Sequence, residues 1–453
     1  MDNKFDRYFK SLSDKRIVVL GLGVSNRPLV RLLLSYGCNV VGCDRTPRQK
    51  LDDEVLQLEK QGCQLRLGDT YLENLSADIV FRTPGMHPDN PALQALRADG
   101  AKVTSEMEVF FELCPCKIIA VTGSDGKTTT TTLISEFLKA AGKTVWLGGN
   151  IGTPLLPVCG KISEDDIAVV ELSSFQLMDM ERSAHVAVVT NLAPNHLDMH
   201  KDMNEYVEAK KNIFKYQTSA DKLILNADNA ITAAFVGNGV TRYFSRKTAA
   251  DICLDGSIIT RQGQPVLNKD DILIPGEHNV ENYMAAILAV EGIVEDDVIC
   301  HVAKTFGGVE HRIELVRVKD GVRFYNDSIA SSPSRTIAGL RSFPEKVLLI
   351  AGGYDKHIPY DVLGPEICMH VKTVFVNGAT ASQIRLAVEN APQYTPGYPQ
   401  IVDCADFTDA VIKAASAAES GDIVLMSPAS AAFDQFKNFM ERGKYYKKLV
   451  LEL

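Results

Sequence analysis

Long apolar runs are missing from this sequence: none reaches the length of about 18 residues that a membrane-crossing helix needs. The N-terminal stretch MDNKFDRYFKSLSDKR also lacks the apolar segment of a secretory signal, so we expect a cytoplasmic protein without a membrane span. The ten cysteines form no CxxC pair, and the closest two are Cys114 and Cys116, which argues against a zinc site or a disulfide framework. Basic residues are outnumbered, and a net charge of -9 argues against nucleic acid as the main partner.

Short apolar runs that alternate with segments of helical character are typical of βαβ units and of α/β proteins with parallel sheets. A length of 453 residues predicts about three domains, and we place their boundaries near residues 107 and 310, giving domains 1–107, 108–310 and 311–453. The predicted strands are 15–20, 39–44, 77–81, 117–121, 144–147, 167–171, 186–191, 222–226, 322–325, 346–350, 373–376 and 422–426.

A glycine-rich turn with the sequence TGSDGKT, residues 122–128, follows one predicted strand and precedes a predicted helix at 129–141. Backbone N–H groups of such a turn bind phosphates, Lys127 can reach the β- and γ-phosphates, and the Thr128 hydroxyl can bind Mg²⁺. The full Walker A pattern needs one more glycine, at the position of Val121. The context of strand, turn and helix still predicts an ATP site.

Glu171 and His196 lie at the ends of neighbouring predicted strands and would project over the same sheet edge as the glycine turn. A carboxylate there can hold Mg²⁺, although a solvated strand end explains Glu171 equally well. His196 and His200 have the i, i+4 spacing of a zinc pair, but no third ligand motif accompanies them.

The turn Gly21-Leu-Gly-Val-Ser-Asn26, with Asp44 further along, resembles a dinucleotide fingerprint in which Asn26 replaces the third glycine. A nicotinamide-dependent oxidoreductase would use this turn but leaves TGSDGKT unexplained. The same geometry can hold the pyrophosphate of another nucleotide.

Polar residues also follow later strands and linkers. Asn279 and Asn282 fall near the start of a predicted helix at 283–290, where capping explains one of them and ligand contact is an alternative for both. The segments 311–312, 326–328, 352–356 and 427–430 have an ordinary explanation as solvated turns.

Taken together, the motifs of this sequence resemble those of the Mur ligase superfamily over essentially the whole chain. They are TGSDGKT, NHLD at 195–198 followed by YVEAK at 206–210, GEHN at 276–279 and EHR at 310–312. The segments 148–152, 171–176 and 427–437 are similar to its D-glutamate-adding branch. The resemblance implies a Rossmann-like N-terminal domain, a P-loop central ATPase and a Rossmann-like C-terminal domain.

The resemblance also implies site residues. The UDP part of one substrate would face Gly23, Val24, Ser25, Asp44, Arg45 and Gly85, and its sugar or peptide arm would meet Asn150 and Ser173. ATP would be held by Gly123, Ser124, Asp125, Gly126, Lys127, Thr128, Thr129, Asn279, Asn282, Arg312 and Asp327. A Mg²⁺ pair would be served by Thr128, Glu171, His196 and a carbamylated Lys210, and the incoming amino acid by Ser331, Lys356 and Phe433.

The implied reaction is an ATP-dependent ligation through an acyl-phosphate, with Lys127, His196 and Lys210 in catalytic roles, in a protein expected to be a monomer. Its substrates would be UDP-N-acetylmuramoyl-L-alanine and D-glutamate. Ile329 stands where this branch has lysine and Ala432 where it has serine, so the handedness of the amino acid stays open. Another Mur-type ligase, a folylpolyglutamate synthase-like ligase and a nucleotide-gated binding protein without turnover remain alternatives.

Overall fold

The computed structural model describes residues 3–194 and 199–453, and these residues form three β-sheets. The chain divides into two compact units: Met1–Lys269 with Glu281–Val302, and Asp270–Val280 with Ala303–Leu453. The first two sheets belong to the first unit and the third sheet to the second unit. No helix in the described part of the chain combines the length and the hydropathy that a membrane crossing needs.

The first sheet is fully parallel, with the order β3-β2-β1-β4-β5 that is typical of one half of a dinucleotide-binding fold. Its strands β1–β5 are Arg16–Leu20, Asn39–Asp44, Gln64–Leu67, Ile79–Phe81 and Lys102–Thr104. The helices α1–α5 around it are Lys4–Lys10, Asn26–Ser35, Asp53–Lys60, Pro91–Ala98 and Glu106–Leu113, with a 3₁₀ turn at Arg48–Lys50. The expected Rossmann-like N-terminal sheet is thereby confirmed.

Both faces of this sheet are covered. Four of the five residues of β1 are buried, as expected for a strand with helices on either side. Helix α2 packs Leu29, Val30 and Leu33 against the sheet, and these positions lie on one helical face.

The second sheet has nine strands in the order β14-β13-β12-β11-β10-β9-β6-β8-β7, and β13 and β14 are antiparallel additions at one edge. Strands β6–β14 are Lys117–Thr122, Val145–Gly149, Ile167–Glu171, Val186–Val189, Lys222–Asn226, Val240–Ser245, Ile252–Asp255, Ile258–Arg261 and Gln264–Asn268. Helices α6–α11 are Lys127–Ala140, Ser174–Leu177, Met203–Lys215, Ala230–Ala233, Glu277–Ala289 and Asp296–Thr305, with 3₁₀ turns at Leu156–Lys161 and Lys269–Asp271.

Strand β6 lies between β8, which ends at Glu171, and β9, which precedes the segment of His196. The prediction that Glu171 and His196 follow neighbouring strands is therefore wrong. After β6 the chain forms β7 and β8 on one side of that strand and then β9 on its other side. The carboxyl end of β6 is therefore a topological switch point, where open α/β sheets bind ligands.

The third sheet has the order β15-β16-β20-β17-β18-β19, and β15 is antiparallel to its neighbour. Strands β15–β20 are Glu314–Lys319, Val322–Asn326, Val347–Gly352, Val371–Asn377, Gln400–Asp403 and Ile423–Met426. Helices α12–α16 are Pro333–Leu340, Leu363–His370, Ala381–Glu389, Phe407–Ala417 and Phe439–Glu452. Strands β19, β18, β17 and β20 repeat the order of the first sheet, and apolar clusters cover both faces, as expected for a Rossmann-like domain.

Candidate functional site

The glycine turn between β6 and α6 is closely packed. Gly123 has φ 151°, and a Cβ there would lie 1.9 Å from the Thr190 hydroxyl oxygen. Gly126 has φ 76°, and its Cβ would lie 2.3 Å from Oδ1 of Asn282. Both positions therefore require glycine for space as well as for backbone conformation.

The turn is held by hydrogen bonds from the side chain of Lys127 and by hydrogen bonds to the loop after β9. The Lys127 ammonium donates to the carbonyl oxygens of Gly123 and Ser124, each at 2.9 Å. The backbone N–H groups of Ser124 and Asp125 donate to Asn191, one to its carbonyl and one to its side chain. Lys127 also begins helix α6, so its charge and the helix N-terminus together form a phosphate-binding environment. Thr128 and Thr129 occupy the first turn of the same helix.

Glu171 ends strand β8 and is 1% exposed. Its Oε1 accepts a hydrogen bond of 2.7 Å from Asn150. Its Oε2 is buried and has no hydrogen-bond partner among the residues that the structure describes. A buried carboxylate oxygen without a donor is rare in proteins, and a hard cation such as Mg²⁺ would satisfy it.

Lys210 projects from α8 and is 2% exposed, so it is not a surface lysine. Its Nζ donates to the Thr122 hydroxyl at 3.0 Å and to the Gly123 carbonyl at 2.9 Å. Burial lowers the pKa of Lys210 well below its ordinary value, the Lys127 charge acts in the same direction, and Glu171 opposes them. The neutral amine is therefore more accessible at Lys210 than at an ordinary lysine.

Lys127 and Lys210 both donate to the Gly123 carbonyl, so the structure brings these two predicted site residues together. His196 lies outside the described residues. The neighbouring His200 packs against the ring of Phe175 and its Nε2 lies 2.9 Å from the Ser174 hydroxyl. These contacts give His200 a packing role.

The turn after β1 is organised by side chains that bond to its backbone. Asn26, in place of the third glycine, is buried and donates to the carbonyl oxygens of Leu20 and Gly21. The Asp44 carboxylate accepts N–H groups from Leu22 and Thr46. Burial acts to raise the pKa of Asp44, but these donors outweigh it and hold the pKa below its ordinary value.

The predicted UDP-facing residues lie along the carboxyl edge of the first sheet. Val24 is 78% exposed, and nothing lies within 4 Å of a Cβ built on Gly23 or Gly85. Ser25 precedes helix α2, and Arg45 is an exposed residue directly after β2. The edge is open, as a ligand-binding turn must be.

Other predicted contacts have structural partners of their own. Ser173 caps helix α7 in a reciprocal arrangement with Gln176. Asn282 accepts a hydrogen bond from the Thr130 hydroxyl at 3.2 Å, and Asn279 donates to the Pro275 carbonyl at 2.6 Å.

In the second unit, Asp327 follows β16 and is fully buried. Its carboxylate accepts hydrogen bonds from the Ser427 hydroxyl at 2.7 Å and from the N–H of Ile313 at 3.3 Å. Burial raises the pKa of Asp327 to about 7, against the effect of these donors. Arg312 is exposed between His311 and Ile313, which both have positive φ.

The predicted amino-acid residues of this unit include a close pair. The Lys356 ammonium lies 6.0 Å from the ring centroid of Phe433, which is 58% exposed. Ser331 lies in the loop after β16, and Ala432 is buried beside Phe433.

Solvated turns were the wrong explanation for two loops of the second unit. Asn326, Asp327 and Ser328 are buried, and so are Ser427 and Ser430.

Sequence reasoning missed the polar residues that support the site. Thr190 and Asn191 hold the phosphate loop, and Arg442 of α16 bonds to both buried loops of the second unit. No local motif marks them, because each acts on a loop distant in the sequence.

An α/β chain with a phosphate loop at a switch point and two Rossmann-like sheets defines a class of nucleotide-dependent proteins. Three family models match it: a Mur ligase MurD-like N-terminal domain over residues 15–105, a Mur ligase middle domain over 121–290, and a Mur ligase glutamate ligase domain over 311–430. The chain belongs to the Mur ligase family.

Among curated relatives, it is 51% identical to the UDP-N-acetylmuramoylalanine--D-glutamate ligase of Acetivibrio thermocellus, over 99% of both chains. It is 48% identical to the protein of that name from Ruminiclostridium cellulolyticum, over 100% of both chains. Among solved structures, the UDP-N-acetylmuramate-alanine ligase MurC of Thermotoga maritima has a similar fold, with a TM-score of 0.59 and 17% identity over 97% of this chain and 99% of that one. The MurF ligase of Thermotoga maritima, solved in complex with ADP, gives a TM-score of 0.53 and 16% identity over 91% and 95%.

Proposed function

We propose that this protein is an ATP-dependent ligase that joins D-glutamate to UDP-N-acetylmuramoyl-L-alanine through an acyl-phosphate, a step in making the peptidoglycan precursor. The observation that carries the proposal is the identity of 51% with a ligase of that name along the full length of both chains. The phosphate loop, the buried Glu171 and the buried Lys210 supply the chemistry that such a reaction requires.

ATP binds at the loop of residues 123–129, with Asn279, Asn282, Arg312 and Asp327 as its further contacts. A bound Mg²⁺ would supply positive charge against the charge that develops on the transferred phosphoryl group. Glu171 and Thr128 would hold the metal, and the buried Oε2 of Glu171, which has no hydrogen-bond partner among the described residues, supports that role. Lys127 orients the γ-phosphate toward the attacking carboxylate of the UDP-linked substrate. His196, which lies outside the described residues, would be a further metal ligand by the family resemblance.

Lys210 is carbamylated in the active enzyme. Its neutral amine attacks the carbon of carbon dioxide. An N–C bond forms as one C=O π bond breaks, the π electron pair moves to that oxygen, and the amine loses a proton to solvent, which leaves an anionic carbamate. A free lysine would be cationic at its ordinary pKa of about 10.4 and would be repelled by a cation. The lowered pKa of Lys210 favours the amine form that this reaction needs. The carbamate would supply oxygen ligands of the kind that Mg²⁺ prefers.

The UDP part binds the turn of Gly23, Val24 and Ser25 with Asp44, Arg45 and Gly85, and the sugar or peptide arm meets Asn150 and Ser173. D-glutamate binds beside Ser331, Lys356 and Phe433, where the Lys356 ammonium pairs with a carboxylate of the amino acid. Domains 1–107, 108–310 and 311–453 divide these roles, and each of the three sheets lies within one of these ranges.

A cytoplasmic location and a monomeric state complete the proposal. All ten cysteines lie in the described part of the chain and are free thiols, which fits a reducing compartment. Light scattering of the purified protein tests the monomer.

The decisive test supplies ATP, UDP-N-acetylmuramoyl-L-alanine and each enantiomer of glutamate separately, and measures ADP release and product mass. We expect a product with D-glutamate and little with L-glutamate. Equal use of L-glutamate would mean that Ile329 and Ala432 mark a changed pocket. ADP release only with folate in place of the UDP-linked substrate would replace the proposal with a folylpolyglutamate synthase-like activity.

A further inference from the structure

Arg442 is one of the most deeply buried cations in the described part of the second unit, with 2% of its surface exposed. It lies in the first turn of helix α16, and each of the three guanidinium nitrogens donates at least one hydrogen bond. The Nε donates to the Ser328 hydroxyl at 3.1 Å, and one Nη donates to the Ser328 carbonyl at 2.9 Å. The other Nη donates to the carbonyl oxygens of Ser430 and Ala431, at 3.0 and 3.1 Å.

These four hydrogen bonds join two loops that are about 100 residues apart in the sequence. Ser328 follows Asp327 in the loop after β16, and Ser430 and Ala431 precede Phe433 in the loop after β20. The two strands are parallel neighbours, so both loops leave the same edge of the third sheet. Arg442 is therefore a cross-link between the loop of a predicted nucleotide contact and the loop of a predicted amino-acid contact.

Charge makes this cross-link strong and specific. Burial lowers the pKa of Arg442 to about 10, so the guanidinium is still a cation at neutral pH. Its four bonds end on neutral oxygens, and charge-assisted hydrogen bonds of this kind are about twice as strong as neutral ones. Lysine has a single donor nitrogen and cannot reproduce a planar fork that reaches both loops.

The next residue supports the same interpretation independently. A Cβ on Gly443 would lie 2.3 Å from Nδ1 of the buried His311. The imidazole of His311 accepts a hydrogen bond of 2.9 Å from the side-chain amide of Asn326. The backbone carbonyl of His311 accepts a hydrogen bond from the N–H of Ile329. Gly443 thus leaves the space in which His311 supports the segment around Arg312 and the start of the loop after β16.

We propose that Arg442 is a positioning residue of the ligase reaction, which sets the relative positions of the loop carrying Asp327 and the loop carrying Phe433. It acts through these loops and does not touch the substrates. The role rests on the proposed function, because the loops matter to catalysis only if they hold nucleotide and amino acid.

The test is Arg442→Lys, which keeps the cation and removes the fork. We expect the KM values for D-glutamate and ATP to rise about tenfold, since small misplacements of positioning groups have effects of this size or larger. The dissociation constant of UDP-N-acetylmuramoyl-L-alanine, measured by calorimetry without ATP, should change less than about twofold, because its predicted contacts lie on the first unit. Added guanidinium ion should restore part of the loss in Arg442→Ala.

The matched control is Arg317→Lys. Arg317 also holds helix α16, through two hydrogen bonds of 3.0 Å to the carbonyl oxygens of Val450 and Leu451, but it reaches neither loop. We expect its KM values to match those of the unchanged protein. Equal KM effects in both lysine variants, or no effect in folded Arg442→Lys, would overturn the positioning role.

Amide hydrogen exchange separates this proposal from the ligase assignment. Residues 327–332 and 428–434 should exchange faster in Arg442→Lys than in Arg317→Lys, whether or not the protein ligates D-glutamate. Absence of ligation by the unchanged protein would contradict the proposed function. Unchanged amide exchange of both loops in Arg442→Lys would contradict the cross-link. If Arg442→Lys does not fold, Ser328→Ala takes its place, because this substitution deletes one acceptor of the Arg442 fork. Its KM values and the amide exchange of the two loops are then measured in the same way.

Discussion

At the scale of single residues, Lys127 is the simplest to test. Its ammonium bonds to two carbonyl groups of its own loop, which a phosphate-bound lysine can leave without disturbing the core. We expect Lys127→Ala to lose turnover by a factor of about a hundred or more while its thermal unfolding changes little. Lys139→Ala, on the same helix but exposed beside Glu136, is the control. Near-normal ADP release by folded Lys127→Ala would contradict the phosphate role.

Lys210 offers a chemical rescue. Lys210→Ala should fold and lose activity, and added formate or acetate should restore part of it by filling the vacated anionic site. Lys211→Ala changes the adjacent lysine, which pairs with Glu208 on the exposed face, and should stay active without additives. Isotope-labelled bicarbonate should give a carbamate signal that is absent from Lys210→Ala. Full activity of Lys210→Ala would exclude the carbamate.

Glu106 makes stability depend on pH. Burial raises the pKa of this carboxyl from 4.5 to about 7, against the N–H donors of Leu156 and Leu155. Between these two values the folded state holds a proton that the unfolded state releases. The contribution of Glu106 to stability is therefore fully present below pH 4.5 and is lost as the pH rises to about 7. Glu106→Gln keeps an acceptor for Leu156 and should unfold with a weaker pH dependence over this range. Identical pH profiles in urea denaturation would show that the carboxyl does not titrate there.

At the scale of elements, the two ends of helix α6 provide a matched pair of glycines. Gly126 before the helix and Gly142 after it have φ 76° and 75°. A Cβ at Gly126 would meet Asn282, whereas nothing lies within 4 Å of a Cβ at Gly142. Alanine should cost about 1–2 kcal/mol of backbone strain at either site.

Only Gly126→Ala should also displace Asn282 and lose ATP-dependent turnover. Gly142→Ala should be less stable in urea yet remain active. Equal turnover in the two variants would show that the close approach of Asn282 to the loop does not contribute to activity.

At the scale of the whole molecule, each of the two compact units contains apolar clusters of its own, so we expect unfolding that is not two-state. We expect calorimetry to resolve at least two transitions. Glu106→Gln should shift only the transition of the first unit, and Arg317→Lys only that of the second. A single transition that both variants move together would mean that the units unfold as one.

Local sequence determined much of the fold, because strand and helix signals act over a few residues. The strands predicted at 39–44, 167–171 and 222–226 have those bounds in the structure. The phosphate loop was predicted for the same reason, since glycines, lysine and threonine stand next to one another in the chain. Helix α6 begins two residues earlier than predicted, at Lys127, because a left-handed Gly126 precedes it.

Tertiary structure alone decided the features that depend on distant residues. The strands of 240–268 were missed because they are short and partly exposed, and pairing with neighbours holds them in the sheet. The motif at 206–210 identified Lys210, but its burial against Thr122 arises only when α8 packs on β6. The Arg442 fork joins loops about 100 residues apart, and such a contact leaves no pattern in either segment because hydrogen bonds across a fold depend on position in space.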